Sequence, residues 1–197
     1  MTIKPLTKKD VSSIVRLHRE NLPQTHSSKL GIVYLTQLYS TVAATSDIHI
    51  GYVAYDNKHV IGVITATLDL QKSQQKMTKS FTASTYLLVL TAILKGKLSP
   101  WGLVRQIWFE FRVTRIFPTP YSTVLTLFVV ASYRRKGIGK QLVNKVIGTI
   151  KEYQYPSLFV DTQVQNEKAL YFYQALGFTR RTYITDAVVL SYDLSTK

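Results

Sequence analysis

Residues 132–142 read SYRRKGIGKQL: Arg134, Arg135 and Lys136 stand in a row, then Gly137 and Gly139 spaced by one, then Lys140. Cations beside backbone this bare are suited to holding a phosphate group. Glycines remove the Cβ atoms that would keep an anion off the amides. A helix that starts here turns its first unbonded N–H groups, and about half a positive charge, towards the same point. Arginine side chains add a two-pronged grip on phosphate oxygens. The ligand this implies is a pyrophosphate. The apolar run STVLTLFVV (122–130) leads in as a strand, and a helix follows from Gly139 to about Tyr153, with Leu142, Val146, Ile147 and Ile150 on one face.

Several phosphate motifs compete for this stretch. The nucleotide P-loop, G-x-x-x-x-G-K-[ST], fails because Gly137 and Gly139 are too close together. The dinucleotide fingerprint G-x-G-x-x-G matches at GIG, with Asp161 about twenty residues on where a ribose-binding acid belongs, but Leu142 replaces the third small residue. A purely structural loop with solvated cations is the plain alternative.

A second motif decides between them. NEKALYFYQALGF (166–178) reads as a helix. Asn166 suits its N-cap, Ala169, Phe172, Tyr173 and Leu176 share a face, and Gly177 suits the left-handed residue after it. Arg134-x-x-Gly137-x-Gly139, followed by Asn166, Ala169, Tyr173, Gly177 and Phe178 at N-x-x-A-x-x-x-Y-x-x-x-G-F spacing, resembles the GCN5-related N-acetyltransferase (GNAT) family over roughly residues 120–180. The resemblance implies a GNAT-like mixed, mostly antiparallel sheet flanked by helices, in the α+β (α/β) class, and acetyl-coenzyme A as co-substrate. It implies that Arg134, Arg135, Lys136, Gly137, Ile138, Gly139 and Lys140 seat the pyrophosphate. Pantetheine then lies along the backbone of Leu127, Phe128 and Val129, and an N–H of Phe128 or Val129 polarises the thioester carbonyl. Asn166 holds cofactor backbone, and Tyr173 protonates the leaving thiolate. Direct transfer to an amine suits a chain with no cysteine and no G-x-S-x-G elbow.

The proton acceptor departs from the family pattern. Ser122 and Thr123 stand where many members carry a glutamate, and Leu127, Phe128 and Val129 offer no acid. His18 and Glu20 on the first helix, with His26 in the loop after it, are the candidates that the resemblance places beside the acceptor pocket. An acceptor amine that arrives already deprotonated is the other option.

The elements that must position these residues follow from periodicity. TIKPL (2–6) reads as an edge strand. Helices follow at 11–21, with Asp10 as cap, and at 28–43; HIGYVAYDNKHVIGVITATLDL (49–70) is a hairpin, and 71–120 is a helical insert ending one helix at Gly96 and starting another near Pro100. SLFVDTQV (157–164) is a buried strand, and RTYITDAVVLSYDL gives one or two more. The whole, residues 1–197, is expected to be one domain.

Bulk composition narrows the partners. Without cysteine, disulfides and cysteine-based metal sites are excluded, and no metal ligand set is expected. MTIKPLTKKDVSS has no signal-peptide core, and YLLVLTAIL (86–94) is too short to cross a bilayer, so a cytoplasmic location is expected. Against 11 acids there are 25 lysines and arginines, giving +14. That field favours an anionic small-molecule amine as acceptor, such as a nucleotide-linked amino sugar. Residues 71–120 alone hold eight cations and one acid, Glu110, among apolar residues such as Tyr86, Leu87, Leu90, Leu94, Trp101 and Trp108. This insert is expected to pack on the sheet, to pair with a second copy, or to touch a membrane as a basic amphipathic foot. Two rivals stand beside the enzyme reading: a silent coenzyme A-binding fold, and a basic nucleic-acid-binding module. The second is disfavoured because the cations form no recognised binding motif.

Overall fold

A computed structural model of the chain describes residues 1–117 and 120–195. The elements are β1 (Thr2–Pro5), α1 (Val11–Asn21), α2 (His26–Leu30), α3 (Ile32–Ala44), β2 (His49–Asp56) and β3 (His59–Thr67). The insert follows as α4 (Leu70–Ser80), α5 (Ala83–Leu94) and α6 (Pro100–Ile116). After it come β4 (Thr123–Val129), α7 (Ile138–Glu152), β5 (Ser157–Gln163), α8 (Glu167–Ala175), β6 (Thr179–Ile184) and β7 (Ala187–Asp193). The strands form one seven-stranded sheet in the order β1-β2-β3-β4-β5-β7-β6, antiparallel throughout except between β4 and β5. The α+β class with a mostly antiparallel sheet is thus what the chain adopts.

Strand alternation divides the core. Leu158 and Val160 of β5 point into the cluster built by α7 and α8, with Leu142, Val146, Ile150, Leu170 and Tyr173. Between them Phe159 points the other way, against Phe109 and Val113 of α6 and Tyr121. On that second face Val53, Val63 and Phe128 meet Ile14, Leu35 and Tyr39 of α1 and α3. The sheet is therefore covered on both sides, and α6 is part of the cover.

Three details differ from the sequence reading. The expected helix over 28–43 is two helices, because Gly31 breaks it at a φ of +92°. The insert contains three helices rather than two, and it begins at Leu70; Pro118 and Thr119, at the expected end of the insert, lie outside the described residues. Asp10 does not cap α1 with its side chain; its carboxylate accepts instead from the Thr7 N–H (2.9 Å) and from the Tyr55 hydroxyl (2.5 Å), closing the preceding turn. The tail forms both strands, β6 and β7.

Candidate active site

The site begins with an irregularity in β4. Its register against β3 shifts so that Thr65 pairs with Thr126 and Ala66 with Val124, leaving Leu125 as the extra residue of a bulge. Bulges bend a strand and increase its twist. Beyond this point β4 leaves β5: the parallel pair is joined only at its start, where Thr123 sits opposite Phe159 and the Phe159 N–H donates to Ser122 O (2.9 Å). A gap opens between the two strands.

Alternation along β4 says which groups face that gap. The Val130 N–H donates to Ile61 O of the β3 side (2.9 Å), so Val130 and Phe128 direct their amides to β3, while Leu127 and Val129 direct theirs into the gap. Of the two expected carbonyl-polarising amides, geometry favours Val129. Phe128 has its amide in the ladder and its ring buried.

At the end of the gap lies the cationic loop. Arg135 is left-handed at a φ of 61°, and Gly137 is left-handed at 76° and serves as N-cap of α7. Among the described residues, none of the backbone N–H groups of residues 135–140 is hydrogen-bonded; the first paired amide is Gln141, to Gly137 O (3.1 Å). A left-handed residue leading into a helix N-terminus makes a concave row of donors, a nest for an anion. Ile138 is buried and anchors the helix beneath it. A Cβ on Gly137 would touch no protein atom within 4 Å, so the residue's demand is for its backbone angle and for the space above the amides. Gly139 is different: a Cβ there would lie 3.2 Å from Phe172 Cζ of α8. The two motifs of the sequence therefore touch.

The cations do not all hang free. Arg134 donates from Nε to Val129 O (2.9 Å) and from a terminal nitrogen to Asn21 Oδ1 (2.9 Å), tying the end of β4 to the end of α1. Lys136 lies over the Tyr133 ring at 5.1 Å. Arg135 and Lys140 are exposed and make no ion pair among the described residues.

On the other bank of the gap, Asn166 caps α8 by accepting from the Ala169 N–H (3.2 Å), as expected. Gly177 ends the helix at a φ of 95°, and the Phe178 ring folds back to 5.3 Å from that of Tyr173. Tyr173 is buried, and its hydroxyl donates to no described residue. Burial, with the nearby charge of Asp161, holds the phenol well above its ordinary pKa and so fully protonated.

The three expected proton acceptors fall in different surroundings. His18 is 2% exposed. Its Nδ1 lies 2.6 Å from the Tyr39 hydroxyl, and its Nε2 lies 3.2 Å from Thr25 Oγ1 and 3.3 Å from Ser27 Oγ. Because the Thr25 hydroxyl donates to Leu22 O (2.9 Å), the network assigns the ring hydrogen to Nε2 and leaves Nδ1 to accept from Tyr39. Burial lowers its pKa to about 4, so the ring is neutral. Glu20 is exposed and faces Arg16 (3.5 Å) along α1. His26, at the start of α2, borders Gly102 of α6, and burial followed by the charge of Lys29 lowers its pKa.

A carboxylate weighed in the sequence only as a ribose-binding acid lies on the strand across the gap from β4. Asp161 lies on β5 beyond the point where β4 departs, on the same face of the strand as Phe159. It is exposed there, and desolvation by the surrounding protein, with a contribution from the Glu110 charge, raises its pKa to about 6. Its charge is felt by both Tyr173 and Tyr121. Glu110, on α6, accepts from Gln106 Nε2 (3.0 Å), has its own pKa raised by burial, and is felt in turn by Tyr34 of α3. The insert therefore contributes to the acceptor side. What could have revealed this is the acid's place on the strand next to the gap rather than on β4.

A gap lined by free strand amides, with a row of unpaired amides and cations at one end, is suited to an elongated ligand with an anionic head. The chain belongs to the acetyltransferase (GNAT) family, whose model matches residues 12–178. N-alpha-acetyltransferase 50 of Danio rerio is 38% identical over 56 residues, 28% of this chain and 33% of the relative, so the matched segment spans a third of that protein. Among solved structures, the PaiA N-acetyltransferase of Thermoplasma acidophilum in complex with coenzyme A superposes with a TM-score of 0.62 at 12% identity, over 98% of this chain and 99% of that one. NAA60 of Arabidopsis thaliana in complex with a bisubstrate analogue gives 0.60 at 17% identity, over 98% and 97%. At these identities the structures show the shared fold.

Proposed function

We propose that this protein transfers an acetyl group from acetyl-coenzyme A directly to the α-amine of a peptide or protein N-terminus. The observation that carries this reading is the β4–β5 gap, with a nest of unpaired amides at one end and Asp161 at its edge. The diphosphate sits on the amides of 135–140, and the pantetheine arm runs past Leu127 and Val129. The acceptor nitrogen attacks the thioester carbonyl, whose oxygen takes its developing charge against the Val129 N–H. The C–S bond then breaks, and the thiolate takes the Tyr173 proton. The extra proton on nitrogen passes to Asp161, whose pKa near 6 leaves it ionised at neutral pH and basic enough to accept. His18, neutral and fully bonded, braces α1 against α2 and α3 in this scheme.

An α-amine replaces the nucleotide-linked amino sugar favoured by net charge alone. The acceptor side carries the carboxylates of Asp161 and Glu110, which attract an ammonium and repel a phosphate. Arg105, on the same helix as Glu110, is paired with Asp186. N-alpha-acetyltransferases among the relatives support the same choice. For the insert, a lipid surface is favoured over a second copy, because two copies would bring like-charged faces together.

Thiol release from acetyl-coenzyme A, measured across peptides with free N-termini, the same peptides Nα-blocked, spermidine and a nucleotide amino sugar, tests the reading. Turnover with free peptides alone is expected. A preference for the amino sugar would refute the acceptor. Cofactor binding without any turnover would leave only a silent coenzyme A-binding fold.

A further inference from the structure

We propose that the outer faces of α5 and α6 form a docking surface for an anionic lipid bilayer. On α5, Tyr86, Leu87, Leu90 and Leu94 fall within one arc of the helix and are 52–76% exposed. The opposite arc holds Thr85 and Ala92, which are buried. No charged residue occurs between Ala83 and Leu94. On α6, Trp101, Val104, Ile107, Trp108 and Phe111 form a second exposed stripe, at 45–70%, while Phe109 and Val113 turn inward to Tyr121 and Phe159. The expectation that the insert packs on the sheet therefore holds for one side of α6. The other side, and most of α5, present large apolar residues to solvent, which a soluble domain does not do over two neighbouring segments without a partner.

These faces are held in place rather than left loose. Gln37 of α3 accepts from Thr85 Oγ1 (3.0 Å) and donates to Ser80 O, while buried His49 of β2 meets Ser73 Oγ of α4 (2.8 Å). Cations stand on α4 and α6 and at the junction after α5. Lys76, Lys79, Lys95, Lys97, Arg112 and Arg115 are exposed and make no ion pair among the described residues. The Arg115 guanidinium lies over the Phe111 ring, 4.3 Å from its centroid, so a cation sits directly against the apolar stripe.

The charge pattern selects the occupant. A second copy seated on this face would set these cations against their own kind inside a low-dielectric contact. Anionic headgroups complement them, at about fivefold in partition per cation. Indole rings at the edge of an apolar stripe are suited to the same boundary, apolar on one side and wet on the other. No single described helix is long and apolar enough to cross a membrane; α4 and α5 reach that length and composition only together, across a 98° bend, and the proposed contact is interfacial. Glu110 sits on the same helix as this face, which would bring the acceptor cleft to lipid-proximal amines.

The full chain is mixed with vesicles of phosphatidylcholine alone or with added phosphatidylglycerol, and co-sedimentation is measured across salt. Both tryptophans of the chain lie on the proposed face, so their emission reports its burial without any label. Expected are binding to the anionic vesicles alone, weakened by salt, a blue shift of emission, and a loss of roughly tenfold or more in partition for the Leu87→Ser/Leu90→Ser/Leu94→Ser variant. A second variant, Lys95→Glu/Lys97→Glu, should weaken binding even if the first folds poorly. No binding, equal binding to both vesicles, or binding that a folded serine variant retains in full would overturn the proposal. So would a concentration-dependent dimer in sedimentation equilibrium that the serine variant dissolves. None of these readouts involves acetyl transfer, so they stand or fall apart from the catalytic reading.

Discussion

Neutral His18 makes the stability of this protein depend on acid in a calculable way. In the unfolded chain the ring titrates at its usual 6.5, and in the fold at about 4. Between those values the unfolded state binds the extra proton, so stability is full above pH 6.5 and falls as pH drops towards 4. At 1.36 kcal/mol per unit the difference is about 3 kcal/mol, a sizeable part of the 5–15 kcal/mol typical of a domain. Urea unfolding of wild type and His18→Gln across this range isolates the effect, since His49 and His26 titrate equally in both. The variant loses stability at pH 7.5, where Tyr39 and Thr25 lose their shared partner. Its further loss on acidification should be smaller than wild type's by about 3 kcal/mol. Parallel curves for the two proteins would show that His18 takes up its proton as readily in the fold as in the unfolded chain, and the reading of Nδ1 as an acceptor from Tyr39 would then be wrong.

The remaining predictions concern the groove. Gly137→Ala places a Cβ over the diphosphate nest at a φ of +76°; it should cost roughly 1 kcal/mol in unfolding, and calorimetric titration should show acetyl-coenzyme A affinity falling at least tenfold. Tyr173→Phe should lower kcat by roughly a hundredfold with little change in the thermal midpoint, because the lost hydroxyl has no described partner; equal kcat would remove the phenol from the mechanism. Asp161→Asn should abolish an acid limb near pH 6 in kcat/KM. Because the raised pKa means that ionised Asp161 is penalised in the fold, the same change should stabilise the protein above that pH and not below about pH 4. A limb that survives in the variant would return the search to His26 and Glu20.

What the sequence disclosed, and what it hid, divides along local and non-local physics. Gly137, Asn166 and Gly177 could be placed because a left-handed angle or an orphaned helix donor is satisfied within a few residues. The choice between Phe128 and Val129 could not, since it depends on which strand lies on each side and on a bulge at Leu125. Arg134 looked like free countercharge until Val129 O and Asn21 were found at its guanidinium. His18 looked catalytic from its helix position, but its neighbours Tyr39 and Thr25 make it a bonded core residue. Asp161 stood in view, but the proton-acceptor part proposed for it rests on a pKa raised by desolvation and by the charge of Glu110 on α6, which no local pattern predicts.

The contact of Gly139 with Phe172 carries an implication for anyone redesigning this enzyme. Grafting a pyrophosphate loop from another member, or randomising it for a bulkier acyl donor, would press any new side chain at 139 against α8, one residue from the phenol. Libraries that vary 139 and 172 jointly should yield active clones where those varying 139 alone lose the tyrosine's alignment along with the new specificity.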